Sequence, residues 1–231
     1  MSEYKTLNNI AYDHLRRMIY SGDLSFNRIY SETKLARELS ISRTPMRDAL
    51  NRLAQERYID ILPNRGFMLR TPTQADIVEA YHVRMMTEDY CSRIVALRYP
   101  DARARNAVAM MEDALEQQQR LLSEDGSYSL SQFWLDDLNF HKAPLLYMDI
   151  SSLIVQYESF MHIFMPHHLI GDADAHLRHP RAMERHRSTL DEHAEIVEAL
   201  KSRDPDRVTG AIRAHLDSSL RALYESREAV R

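Results

Sequence analysis

One cysteine, five glycines and one tryptophan in 231 residues mark what this chain is short of. A lone thiol, Cys91, excludes an internal disulfide framework and fits a reducing compartment. So few glycines argue against a large all-β fold, which needs tight turns at regular intervals. Long apolar runs are missing as well. The longest weakly charged stretch, residues 151–171, is interrupted by Gln156, Glu158, His162, Pro166, His167 and His168 and makes a poor membrane span. Residues 1–5 lack the basic-then-apolar pattern of a secretory signal, so a soluble, cytoplasmic protein with no membrane partner is expected. The chain also has no phosphate-cradling glycine loop, no CxxC pair and no serine-nucleophile elbow, and with them go the common enzyme signatures.

What is present is an ordinary globular composition, 44% hydrophobic and 28% charged, in a chain long enough for one small and one medium domain. The net charge of −4 hides an asymmetry. Residues 1–72 hold 12 Lys and Arg against 8 Asp and Glu, a balance of +4, while the remainder holds 18 against 26, a balance of −8. A basic head suits a polyanion, although chance scatter over solvated faces gives the same numbers. Ten of the 11 histidines follow residue 72, so any histidine chemistry belongs to the body.

In the head, Ile10, Ala11, Leu15 and Ile19 keep helical spacing until Ser21-Gly22-Asp23. Ser31 and Ser42 stand as N-caps before two short helices carrying Leu35, Ala36 and Leu39, then Met46, Ala49, Leu50 and Leu53. Residues 58–62, the turn Pro63-Asn64-Arg65-Gly66 and residues 67–70 read as a hairpin. Three helices and a hairpin make a winged helix-turn-helix plan over residues 1–72. The body, residues 73–231, shows only helical patterns, at about 74–98, 101–124, 129–148, 150–165, 175–202 and 205–228. The fold class is therefore mainly α, a winged helix-turn-helix followed by an all-α helical bundle.

The most specific signal is the run Ser42-Arg43-Thr44-Pro45-Met46-Arg47-Asp48-Ala49-Leu50. Pro45 falls in the first helical turn, where its missing N–H costs nothing, and Arg43, Thr44 and Arg47 gather at the helix N-terminus. Such an end suits the major groove: arginine can bridge guanine O6 and N7, and the helix dipole beside a hydroxyl suits a phosphate oxygen. Arg65 and Gly66 add a hairpin tip able to approach an adjacent groove. Each arginine taken singly is also compatible with a merely solvated side chain. Taken together, with Leu35-Ala36 and Asn64-Arg65-Gly66-Phe67, the head resembles the GntR family of bacterial regulators, and its FadR-like branch in particular. That resemblance implies a homodimer on a double-stranded inverted-repeat operator, with Ser42, Arg43, Thr44, Arg47, Arg65 and Gly66 at the DNA. It also exposes a departure. Where many relatives carry arginine directly after the Ser-Glu pair, this chain has Thr33, and neither Lys34 nor Arg37 occupies the matching position.

In the body, Asp137 and His141 are four apart and share a helix face with Phe133, Trp134, Leu138 and Leu145. His193 lies among Leu190, Ile196, Val197 and Leu200, and His215 among Ile212, Leu216 and Leu220. Counted from the reversal at Asp204-Pro205, the two histidines are about eleven and ten residues away, hence level at about 16 Å along antiparallel helices. One carboxylate and three imidazoles suit a divalent transition metal such as zinc, nickel, manganese or iron. Separate core histidines satisfied by hydrogen bonds remain the alternative. The FadR-like branch often has a metal-binding effector domain of the FCD type with an Asp-x3-His pair and a histidine on each of the last two helices, which Asp137, His141, His193 and His215 match in order.

Arg84, beside Tyr81 and Glu88, either pairs with Glu88 at i,i+4 or clamps a ligand carboxylate. Relatives that bind organic acids often have an arginine there, which implies a small organic-acid effector held by Arg84 and Tyr81. The chain is therefore expected to be a transcription regulator, a repressor with no catalytic residues; a metal-dependent enzyme and a metal-free regulator are the rival classes.

Overall fold

The computed structural model describes residues 6–123, 130–161, 163 and 180–228, which group into two compact units, one within residues 6–71 and one from residue 72 onward. The first contains α1 (Leu7–Tyr20), α2 (Glu32–Glu38), α3 (Arg43–Gln55), β1 (Ile59–Leu62) and β2 (Gly66–Leu69). Ala11, Leu15 and Ile19 recur every four residues and bury one face of α1 against α3. Ile10 departs from the expected apolar face: it is 38% exposed, and Tyr12, on the other flank of the stripe, enters the core instead. Leu24, Leu35, Met46, Leu50, Leu53, Ile59 and Phe67 complete that core.

Local chemistry sets the tight helix pair. The Ser31 hydroxyl accepts from the Lys34 amide at 3.3 Å and opens α2. Ser40 then adopts a left-handed conformation (φ 55°), and the Ile41 amide reaches back to the Ala36 carbonyl at 3.0 Å, so the chain turns directly into α3. Ser42 occupies the N-cap position of α3 in extended backbone, but its side chain bonds no amide of the first turn.

The wing pairs antiparallel with Ile59 opposite Leu69 and Leu62 opposite Gly66. A third piece, absent from the sequence-based expectation, joins it: the Tyr30 amide donates to the Phe67 carbonyl at 2.8 Å, and the Phe67 amide donates to the Tyr30 carbonyl at 3.0 Å. Gly66 makes this approach possible. Its φ is +121°, and a Cβ there would lie 2.0 Å from the Tyr30 carbonyl oxygen.

The second unit holds α4 (Gln74–Leu97), α5 (Ala102–Ser123), α6 (Leu130–Met148), α7 (Ser151–Met161), α8 (Pro180–Ser202) and α9 (Pro205–Glu228). Thr73 and Asp76 form a reciprocal capping box at the start of α4, with bonds of 3.1 and 2.8 Å. Helices α8 and α9 form a hairpin about Arg203, whose φ is 61°, and Arg207 clamps Glu195 across it with contacts of 3.0 and 3.2 Å. Val95, Val108, Met111, Phe140, Ile196, Leu200, Ile212 and Leu216 make a core shared by α4, α5, α6, α8 and α9. The ends expected for the fourth and fifth body helices, residues 164–165 and 175–179, lie outside the described residues, as do His162, His167, His168 and His179. No helix among the described residues is long and apolar enough to cross a membrane.

Gly66→Ala should therefore destabilise the first unit by at least about 1–3 kcal/mol, the cost of a strained backbone before the clash with Tyr30 is relieved. Thermal unfolding of the full chain is expected to show an earlier transition for the first unit with that of the second unchanged. Two transitions identical to the wild type would contradict the role given to this glycine.

Candidate metal centre and nucleic-acid interface

Three helices of the second unit carry one buried polar cluster. Asp137 and His141 project from α6, His193 from α8 and His215 from α9, and all four side chains are at least nine-tenths buried. The ligand-competent atoms of the three histidines lie within 4.8 Å of one another. His141 Nε2 and His193 Nε2 are 3.2 Å apart, and Asp137 brings Oδ1 to 3.5 Å from His193 Nε2 and Oδ2 to 3.9 Å from His141 Nε2. The structure thus brings together the four residues that the sequence placed on three helices.

The opposite nitrogens explain why this cluster is suited to a cation. His141 Nδ1 meets Glu88 Oε2 at 2.9 Å, and His215 Nδ1 meets Glu192 Oε2 at 2.9 Å. Both carboxylates are acceptors, so each Nδ1 carries the proton. His193 Nδ1 faces Gln118 Oε1 at 3.1 Å, and the Gln118 amide is oriented by donating to the Phe133 carbonyl at 3.2 Å, so this Nδ1 also donates. Three Nε2 lone pairs consequently converge. In a buried space two imidazole nitrogens 3.2 Å apart need either a proton or a metal ion between them. This is the pattern of imidazole ligands held by outer-shell acceptors, and it fits a transition metal.

Burial and charge poise the cluster. Burial, with the charge of Arg84 acting in the same direction, holds His193 well below the ordinary imidazole value of 6.5. His215 is brought down to about 4 because burial, with the charge of Arg84 acting in the same direction, outweighs its bond to Glu192. Burial alone would raise Glu192, yet its bonds to His215 and Ser218 and the charge of Arg185 lower it to about 2. Glu88 is likewise held well below the carboxylate range, because Arg84 and His141 outweigh its burial.

Arg84 sits against this centre. Its Nε donates to Glu88 Oε1 at 2.6 Å, both side chains are buried, and the Tyr157 hydroxyl from α7 donates to the same oxygen at 2.6 Å. The i,i+4 pair with Glu88 is therefore formed, and through Glu88 it reaches His141. Tyr81 stands one turn earlier, partly exposed, with its hydroxyl bonded to Asp217 at 2.5 Å. Gln118, Glu192 and Tyr157 were not found from the sequence. Gln118 left a signal, since it continues the buried stripe Met111, Ala114, Leu115 on α5 as a polar residue that must find a partner.

In the first unit Ser42, Arg43, Thr44 and Arg47 form an exposed group at the N-terminal end of α3, and Met46, Ala49 and Leu50 hold the opposite face in the core. Arg65 is exposed at the hairpin turn, where its amide bonds the Leu62 carbonyl at 3.0 Å. Gly66 follows it, committed to the Tyr30 seam.

The cluster has a signature in pH. An unfolded histidine binds a proton below about 6.5, whereas folded His215 does so only near 4, so the unfolded chain binds more protons between these values. Stability of the metal-free second unit should fall as pH drops from 7 to 5, by about 2 kcal/mol at pH 5 from His215 alone. The Glu192 contribution, present above its unfolded value of 4.5, is lost only as pH falls further toward 2. Melts in chelator at pH 7, 6 and 5 measure this; a flat profile would contradict the buried, neutral assignment.

Comparison with known proteins agrees with both units. Residues 7–69 match the family model of bacterial regulatory proteins of the gntR family, and residues 79–218 match that of the FCD domain. The Nta operon transcriptional regulator of Aminobacter aminovorans is 32% identical over 111 residues, 48% of this chain and 49% of that protein, so the matched stretch spans about half its length. The gluconate operon transcriptional repressor of Bacillus licheniformis is 27% identical over 203 residues, covering 88% of this chain and 79% of its own. Among solved structures, McbR/YncC of E. coli shares the fold with a TM-score of 0.76 at 19% identity, over 96% of this chain and 98% of that one. The chain belongs to the GntR family of bacterial transcription regulators, with a GntR helix-turn-helix domain followed by an FCD domain.

Proposed function

We propose that the chain is a homodimeric repressor in which residues 1–72 bind an inverted-repeat operator and residues 73–231 dimerise and bind a divalent metal with a small organic-acid effector. The three converging Nε2 lone pairs carry this reading, because a regulator that needed only packing there would not orient three buried acceptors at one point. Asp137, His141, His193 and His215 would hold the ion, and a metal so held offers a positive centre to an anion. Repression is favoured by relatives named as repressors, the gluconate operon repressors and RspR of E. coli.

A carboxylate approaching Arg84 competes with Glu88, which already occupies its Nε, while Tyr81 is engaged by Asp217. Effector binding beside the metal would then loosen Glu88 from Arg84, and Glu88 also holds His141 and Tyr157. Differential contact of this kind is what an effector needs to shift an equilibrium between two states. At the DNA, Arg43, Thr44 and Arg47, with Ser42, would enter the major groove from the α3 N-terminus, and Arg65 with Gly66 would approach from the wing.

Two substitutions test the two halves. Arg47→Ala should weaken operator binding by about 1–3 kcal/mol without lowering the melting temperature, since its side chain is 62% exposed. Equal affinity of mutant and wild type in a salt-controlled titration would remove Arg47 from the interface. His215→Ala should lower metal content and abolish stabilisation by added divalent metal while leaving operator binding in place. Full metal occupancy in that variant, by elemental analysis after gentle purification, would break the ligand assignment and favour a metal-free regulator.

A further inference from the structure

Glu32 is the first residue of α2, and its carboxylate faces two arginines of the next helix. Oε1 lies 3.6 Å from Arg43 Nε, and Oε2 lies 3.6 Å from Arg47 Nη2. The three groups differ sharply in setting. The arginine side chains are 65% and 62% exposed, whereas Glu32 is 16% exposed. Oε1 is itself buried and has no hydrogen-bond partner among the described residues. The desolvation of that one oxygen is offset by the two cations the carboxylate faces.

We propose that Glu32 is a positioning residue for DNA recognition, one anchored anion that holds Arg43 and Arg47 side by side at the N-terminus of α3. This rests on the reading of α3 as the DNA-contacting helix. Arg43 and Arg47 are one turn apart on one face, where two like charges repel and two long side chains carry much rotamer freedom. A carboxylate presenting a different oxygen to each removes the repulsion and narrows both side chains toward one direction. Pre-set guanidiniums lose less freedom on forming paired bonds to base edges. The same negative charge, placed behind the arginines, opposes indiscriminate attachment to phosphates. Glu32 thus favours base-edge contacts over backbone contacts, and its contribution is to discrimination rather than to affinity. Thr33 accentuates this, because the residue beside Glu32 brings no positive charge of its own to the backbone.

The full chain first selects a duplex from a randomised pool, and its affinity for that duplex is compared with its affinity for a scrambled duplex of equal composition, over a range of salt. In Glu32→Gln the selected-to-scrambled ratio should fall about tenfold, with scrambled binding equal or tighter. Glu32→Asp, which keeps the charge but is one methylene shorter, should lose the ratio without tightening scrambled binding. Combining Glu32→Gln with Arg47→Ala should cost little beyond Arg47→Ala alone, because the glutamate acts through the arginines. An unchanged ratio in both single variants, a fully additive loss in the double variant, or unfolding of the first unit in both single variants would each overturn the assignment. Arg47→Ala binding both duplexes as the wild type does would be a different failure, that of α3 as the recognition helix.

Discussion

A carboxylate without access to water must find its counter-charge inside the protein, and Glu88 finds it on three helices at once. Arg84 of α4 supplies the cation, Tyr157 of α7 a hydroxyl, and His141 of α6 an imidazole N–H. Removing any one leaves buried charge or a buried polar group under-compensated, which costs more than the bond itself is worth. The arrangement therefore fixes more than Glu88. It sets the tautomer of His141, and with it the direction of the lone pair at Nε2. Glu192 and Gln118 do the same for His215 and His193, from α8 and α5. The convergent donor set is thus a consequence of three acceptors standing behind the rings, on helices whose apolar faces build the shared core.

Buried neutral imidazoles carry a cost as well as an ability. His193 and His215 resist protonation in the fold, so the cluster is stable at neutral pH and strained in acid. Ligands for a transition metal must be deprotonated, and the environment that depresses these histidines keeps them so. Specific ion binding would relieve the lone-pair opposition and add to stability by mass action. The proposed binding of the metal and the proposed binding of the effector beside it would then be two aspects of one electrostatic problem.

The first unit solves a different problem, presenting side chains to a partner while keeping a small core. Two features do this. The left-handed turn at Ser40 rotates α3 so that Met46, Ala49 and Leu50 face inward and Arg43, Thr44 and Arg47 face out. The Tyr30–Phe67 seam, allowed by Gly66, ties the wing to the segment that leads into α2. The exposed arginines are tied in turn to Glu32, so residues far apart in function share short connections in the chain.

Much of this was legible in order and period. Four-residue spacing of apolar positions, the capping serine Ser31 and the break at Asp204-Pro205 located the helices, because helix periodicity is a local property of the backbone. Asp137 and His141 were readable as a pair for the same reason, and His193 and His215 could be placed level by counting back from one reversal. The partners behind the rings were not readable. Gln118 lies 75 residues from His193 and Glu88 pairs with both its helical neighbour Arg84 and the distant His141, and nothing local distinguishes a buried glutamate at i+4 from a solvated one. The Tyr30 bridge and the Glu32 contacts escaped for the same cause: they depend on how one element is laid against another. Residue types and spacings determined which helices form and which faces carry polar groups. Tertiary packing alone decided which of those groups meet, which lose water, and therefore which way each proton and lone pair points.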